Sequence, residues 1–324
     1  MNAKQDHARG CLFGQLIGDA LGSLVEFQSP DQISSRYPGG VRDMHDGGTW
    51  NTIAGQPTDD SEMALALARS IVENGRYDQN AAREAYIDWL NSGPFDIGNT
   101  VRAGLQGTPN YESQANGALM RISPLGIFTS GIDEDRTARY AREDAWITHP
   151  NEVTQDANVV FVLTVAQSIN KQLTPPEAFE YAENISAELH LVDSVRQALV
   201  DARDAPPATF LRSQGWVLIA LQNAFYQLLN QESFEEALVD TVGRGGDTDT
   251  NAAICGALLG AVHGLSAIPA RWVEIIRECK PESGSPGVNR PRPRRFWPVD
   301  ADTLADQLLV AETHGANAAS DLGD

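Results

Sequence analysis

The chain has 324 residues, enough for one large domain or two ordinary ones, with aromatic and charged fractions (7% and 21%) typical of a soluble globular protein. Against 24 lysines and arginines stand 44 aspartates and glutamates, a formal charge of -20 with a pI near 4.6. Such an excess argues against nucleic-acid or anionic-membrane partners, which need a basic face, and otherwise serves solubility.

Residues 8–22, ARGCLFGQLIGDALG, place Leu12, Leu16, Ile17 and Leu21 at helical spacing, while Gly14, Gly18 and Gly22 form a second edge of small residues. Glycine weakens a helix, so its recurrence every four residues points to tight packing. Glu26 follows between Val25 and Phe27. A carboxylate so placed is either an exposed turn residue or a buried functional one.

From Ser29 to Pro57 the chain is rich in Gly, Pro, Asp and Ser and reads as a long loop, of the kind that is usually functional or disordered. It delivers Thr58-Asp59-Asp60 to a helix over 61–74, with Met63, Leu67 and Ile71 on its core face. A helix over 79–91 comes next, with Tyr86, Trp89 and Leu90 on its apolar side. Then Gly93-Pro94 breaks the chain, and Asp96 and Asn99 read as caps of a helix starting near Gly98. The stretch Asn116 to Arg121, with Gly117 and Met120, is either a simple Asn-Gly turn or a set of free N–H groups for an anion.

Helices are expected over 133–146 and 151–169, joined at Thr148-His149-Pro150. His149 at that junction reads as a surface or capping residue, although a place between helices leaves a site role open. Further helices are expected over 175–186, 188–202, 215–229 and 232–242; Trp216, Leu218, Ile219, Leu221, Phe225, Leu228 and Leu229 make the third of these apolar, central and part of the core.

The stretch 243–264, GRGGDTDTNAAICGALLGAVHG, organises the rest. Gly245 and Gly246 allow a tight turn, and Asp247, Asp249 and Thr250 arrive where a helix begins. A stripe of Ala253, Gly256, Ala257, Gly260 and Gly264 then lets another backbone come close. After a helix over 269–279, residues 281–298 are rich in proline and carry Arg290, Arg292, Arg294 and Arg295; we read an extended strap packed by Phe296 and Trp297, the other reading being a docking segment for an acidic partner. A last helix over 300–313 precedes a polar tail expected to fray. No alternating strand and no interior linker appear, so we expect an all-α protein with a single domain over 1–324.

Each acidic cluster alone is an ordinary helix cap. If the two helix starts face each other, Asp59, Asp60, Asp247 and Asp249 converge, and cations are needed to make that tolerable. Oxygen donors without cysteine or histidine suit Mg2+ or Mn2+ rather than zinc. Cys11, Cys255 and Cys279 have no paired spacing, so neither a disulfide framework nor a zinc ribbon is indicated. The N-terminus has no signal-type apolar run, Asp19 interrupts the next segment, and the stretches 159–166 and 252–262 are too short to span a bilayer. A soluble, cytoplasmic location in a reducing compartment is the expectation.

In this order, GDALGSLVEF, TDDSEM, PFDIGNT, NGALMR, a Thr-His pair and GGDTDTNA resemble the ADP-ribosylglycohydrolase family, in particular its dinitrogen-reductase-activating branch, over about residues 8 to 279. The resemblance implies a compact orthogonal multi-helix bundle with two Mg2+ or Mn2+ ions that removes ADP-ribose from modified proteins. It implies that Thr58, Asp59 and Asp60 bind one metal with Asp249 shared, and that Asp247 and Thr250 complete the other. Glu26 would be the mobile carboxylate near the metals and the scissile bond, with Glu26 or Asp59 accepting a proton from water. Asp96, Asn99 and the Asn116–Arg121 loop, including Gly117 and Met120, would surround the ribose and diphosphate, with His149 at the edge. The implied reaction is hydrolysis of the N-glycosidic bond between ADP-ribose and a protein arginine. Alternatives are O-linked or free ADP-ribose derivatives, another metallohydrolase such as a phosphoesterase, and a non-catalytic binding member of the fold.

Overall fold

Two glycine-bearing helix faces, far apart in sequence, meet in the middle of the molecule. The structure is a computed structural model and describes residues 1–320, with side chains through Ala311. In chain order the helices are α1 (Ala3–Gly22), α2 (Pro30–Arg36), α3 (Asp59–Asn74), α4 (Gln79–Asn91), α5 (Asn99–Leu105), α6 (Ser123–Phe128), α7 (Glu134–Trp146) and α8 (Glu152–Lys171). They continue with α9 (Pro175–Glu188), α10 (Asp193–Ala202), α11 (Val217–Asn230), α12 (Phe234–Gly243), α13 (Thr248–His263), α14 (Ala270–Glu278) and α15 (Ala301–Ser320). Among the described residues there is no strand, only two isolated bridges, and the protein is all-α as the sequence patterning requires.

Helix α13 is buried along its length from Thr248 to Val262. It runs antiparallel to α1 at backbone contact. A Cβ on Gly10 would lie 2.3 Å from Gly260 O, on Gly14 2.0 Å from Gly256 O, on Gly18 2.0 Å from Ala252 O, and on Gly22 2.4 Å from Thr248 O. None of these positions has room for a methyl group, so the small stripes are a steric requirement of this pairing. Helices α8, α11 and α12 pack around α13, and one apolar core continues from Ala8 to Ala311.

Three expectations need correction. The long segment 29–57 contains α2, started by Ser29 in a reciprocal capping box with Gln32 and by Pro30 at the first helical position. Seven residues with only Ile33 buried leave too little periodicity to read. Trp216 is not core: it stands just before α11, 40% exposed, with its indole N–H donated to Gln114 Oε1 at 2.8 Å. The last helix runs to Ser320, and the tail beyond it lies outside the described residues. No helix among the described residues is long and apolar enough to cross a membrane.

Replacing Gly14 by alanine would force α1 away from α13. We expect Gly14→Ala to lower unfolding stability by about 2–3 kcal/mol in urea titrations, the cost of separating two packed backbones to admit one methyl group. An unchanged midpoint would contradict the backbone contact.

Candidate active site

The α1–α13 pairing decides where the acidic residues go. Because Gly22 sits against Thr248 and Asp249, the end of α1 and the start of α13 share one location, and the Thr248 hydroxyl donates to Gly22 O at 2.7 Å. The chain after α1 is then stitched to the double-glycine turn: Phe27 N donates to Gly246 O (2.7 Å) and Gly246 N to Gln28 O (3.0 Å). Gly245 and Gly246 both have positive φ, 74° and 78°, which glycine adopts without strain. Phe27 does so at φ 65°, a strained position for a residue with a side chain and one held here by the two backbone bonds. Together these contacts place Glu26 beside Asp247 and Asp249, with carboxylate oxygens of all three within 4.8 Å of one another.

The other acidic pair arrives on α3, and here α1 contributes again through Asp19. Its carboxylate accepts the Thr58 N–H (3.1 Å to Oδ2), the Ser61 N–H (3.1 Å) and the Thr58 hydroxyl (2.9 Å). Thr58 makes no side-chain cap of its own. The start of α3 is thus capped from a neighbouring helix, which frees Asp59 and Asp60 for the cavity. Asp19 is fully buried, and burial pushes its carboxyl up to about 6 despite these donors. The sequence showed Asp19 only as a charge breaking an apolar run.

A cavity of 410 Å3 results, lined by six carboxylates: Glu26, Asp59, Asp60, Asp96, Asp247 and Asp249. Asn99, Asn116, Gly117, Met120, His149 and Thr250 also line it, so every anticipated site residue except Thr58 reaches its wall. Thr58 stands behind, buried, with its hydroxyl also 3.2 Å from Asp60 Oδ2. Asp96 does not cap α5, whose start lacks a side-chain cap; its charge bears on Asp59, which accepts the Gly98 N–H at 3.3 Å. The Asn116 N–H is not free for an anion, since it donates to Gly215 O at 3.0 Å. Its side-chain amide donates to Asp247 Oδ2 at 2.7 Å, holding that carboxylate in place. Arg121, at the end of the same loop, faces away from the cavity: it is buried against Asp144 (3.1 Å) with its guanidinium over the Tyr86 ring.

His149 is fully buried, not a surface residue. Arg121 Nη1 donates to Thr148 Oγ1 at 2.8 Å, and among the described residues that hydroxyl has no acceptor for its own proton other than His149 Nδ1, also at 2.8 Å. Nδ1 is therefore an acceptor, and a neutral ring carries its proton on Nε2, which has no partner among the described residues. Burial first, then Arg121, lowers the imidazole to about 3. Gly117 is required beside it, since a Cβ there would lie 3.1 Å from the ring and 2.8 Å from Val101.

Burial is the largest cause of a raised carboxyl value at all six lining residues, repulsion from neighbouring carboxylates adds to it at Glu26, Asp59, Asp60, Asp96 and Asp249, and hydrogen bonds led by Asn116 oppose it at Asp247. Glu26 is pushed up to about 8, while Asp59, Asp60 and Asp249 are held well above the carboxylate range. One oxygen each of Asp60 and Asp249 is buried without a hydrogen-bond partner among the described residues. Orphaned buried carboxylate oxygens, gathered with no lysine or arginine on the cavity wall, fit hard divalent cations. The trio of carboxylates within 4.8 Å of one another includes Glu26, which the resemblance placed near the metals and the scissile bond. Besides Asp19, sequence reasoning missed Trp50, whose indole N–H donates to Glu26 Oε2 at 2.5 Å, and Gln214 and Gly215 on the wall. No charge or motif pointed to any of these.

An all-α bundle built around a buried, cation-seeking acidic cavity is the class of molecule that fold and site define. The sequence profile of the ADP-ribosylglycohydrolase family matches residues 1–316, and the chain belongs to that family, whose members are hydrolases acting on ADP-ribose glycosidic bonds. It is 32% identical to the ADP-ribosyl-[dinitrogen reductase] glycohydrolase of Rhodospirillum rubrum, over 84% of this chain and 90% of that one. It is 29% identical to the ADP-ribosylarginine hydrolase Tri1 of Pseudomonas putida, over 84% and 74%. A solved ADP-ribosylglycohydrolase-related protein shares the fold with a TM-score of 0.78 at 24% identity, covering 96% of this chain and all of the other.

Two measurements follow from these shifts. The lining carboxyls bind protons more tightly folded than unfolded, so metal-free stability is greatest at acidic pH and falls as pH rises through about 8, where Glu26 ionises. The chelator-treated protein should therefore melt lower at about pH 8.5 than at pH 6, and Mn2+ should raise the melting temperature more at the higher pH; a flat profile without Mn2+ response would contradict the site. The His149 ring should show no titration by NMR between about pH 5 and 8, because it stays neutral throughout.

Proposed function

We propose that this protein hydrolyses the N-glycosidic bond between ADP-ribose and a protein arginine, reversing mono-ADP-ribosylation, with two Mg2+ or Mn2+ ions as cofactors. The observation that carries the reading is the convergence of six carboxylates, five of them buried and Asp96 half-buried, on one cavity without a balancing side-chain cation. An arginine linkage brings a positive charge to that wall as its guanidinium leaves, whereas a serine linkage brings none. The arginine-directed name of one relative, Tri1 of Pseudomonas putida, points the same way.

Asp59, Asp60, Asp247, Asp249, Thr58 and Thr250 would hold the metals, with Glu26 near enough to Asp247 and Asp249 to join them. When bound, the ions supply the positive charge that lets a ribose and an anionic diphosphate enter an acidic cavity, and they orient the ribose hydroxyls. The protein's own groups do the rest. Glu26 or Asp59 takes the proton of the water that attacks the anomeric carbon as the carbon–nitrogen bond breaks, and the guanidine departs with its electron pair. Asn116 fixes Asp247, and His149 offers a neutral Nε2–H donor that adds no charge of its own. Asp96, Asn99, Gly117 and Met120 line the cavity where the ribose and diphosphate would lie. The protein's partner is then an ADP-ribosylated protein, and free ADP-ribose is released.

Release of ADP-ribose from an ADP-ribosyl-arginine protein should fall by about a hundredfold or more with chelator, in Asp59→Ala and in Asp247→Ala. Activity surviving all three would overturn the site. Faster release from a serine-linked substrate run in parallel would reassign the linkage.

A further inference from the structure

The strap over 281–298 contributes no residue to the cavity wall, yet it touches two of the segments that deliver carboxylates to it, α3 and the turn before Asp96, and also the loop that carries Trp50. Arg290 Nε donates to Trp50 O at 3.0 Å, and Gln56 Nε2 donates to Arg290 O at 2.6 Å. Arg292 is buried and forks onto Glu62 of α3 at 2.7 and 2.8 Å, one turn beyond Asp59. The same guanidinium reaches the carbonyls of Ser92 and Gly93, both at 3.1 Å, just ahead of Phe95 and Asp96. The strap is itself fixed there: Trp297 Nε1 donates to Arg292 O at 2.7 Å, and Trp89 Nε1 donates to Glu62 Oε2 at 2.8 Å.

Covering the core would require only Phe296 and Trp297, which are buried. A buried arginine fork and a second arginine on a loop carbonyl do something more specific. They set the height of α3, of the turn before Asp96, and of the loop carrying Trp50. That loop matters most, because Glu26 lies among carboxylates that repel it. The Trp50 indole N–H holds Glu26 Oε2 at 2.5 Å, and the ring is wedged between Phe27 (centroids 6.5 Å apart) and Phe95 (5.9 Å).

We propose that the strap is a positioning element of the active site, with Trp50 the residue that orients Glu26 and Arg290 the clamp that holds Trp50. The proposal rests on the hydrolytic reading above. Arg292 acts at the anchored end of the same device, but its removal would leave Glu62 buried and unpaired, so Arg290 and Trp50 are the informative positions. Arg290 is exposed and Trp50→Phe keeps an aromatic ring, so both variants are expected to fold.

The test uses the full chain, with steady-state kinetics on ADP-ribosyl-arginine, Mn2+ titration by calorimetry, and thermal melting. Trp50→Phe should lower kcat about tenfold through loss of a hydrogen bond to a carboxylate, leave KM nearly unchanged, and weaken Mn2+ binding while the melting temperature holds. Arg290→Ala should move kcat and Mn2+ affinity in the same direction by less, and Arg290→Lys, which keeps a donor for Trp50 O, should recover most of the loss. Wild-type kcat and Mn2+ affinity in Trp50→Phe would overturn the proposal, as would losses that only track a fall in melting temperature. If the wild-type protein does not act on ADP-ribosyl-arginine, the substrate reading fails, and the Mn2+ titrations of the same variants still decide the positioning role.

Discussion

The close approach of α1 and α13 is the constraint on which the rest depends. Gly10, Gly14, Gly18 and Gly22 on one helix face Gly260, Gly256, Ala252 and Thr248 on the other, at separations that exclude a Cβ. Glycine is a poor helix former, so this run is tolerable only because the pairing buries both backbones along their length. The consequence is positional. Asp19 near the end of α1 and Asp249 at the start of α13 are fixed relative to one another by packed helices, and Glu26 and Asp247, just outside them, by the backbone bonds that join Phe27 and Gln28 to Gly246.

That rigidity makes an unfavourable arrangement possible. Six carboxylates on one buried wall repel each other and lose hydration, and each is shifted toward its protonated form. The fold offsets part of the strain with neutral donors: Asn116 to Asp247, the Trp50 indole to Glu26, and the Gly98 N–H to Asp59. It leaves other oxygens unpaired, on Asp60 and Asp249. A protein that spent its donors fully would have a more stable cavity and a weaker attraction for cations. The incomplete pairing is what connects the packing of the bundle to hydrolytic chemistry.

Charge elsewhere is handled differently. Arg121 and Asp144 form a fully buried pair just behind the cavity, and Arg292 and Glu62 another. Buried pairs of this kind add little net stability, but they fix geometry. The first sets the neutral tautomer of His149 through Thr148; the second holds α3 against the strap. Cations are thus present near the site but committed to other carboxylates, and the cavity keeps its acidic character.

Much was legible in the chain itself. Helical periodicity named the class, small-residue spacing in 8–22 and 253–264 announced close packing, and the clusters at 58–60 and 247–250 pointed to hard cations, because residue type and local spacing encode those properties. Glu26 and His149 stayed ambiguous because burial is not a local property: both were compatible with a surface until α13 and α8 closed around them. The roles of Asp19, Trp50 and Arg292 were hidden for the same reason, each acting on a partner 24 to 230 residues away. Only tertiary structure decided which acidic groups share a wall, which donor serves which oxygen, and that an arginine-rich strap reaches back to α3 and the turn before Asp96, since those relations arise when rigid helices bring distant segments into contact.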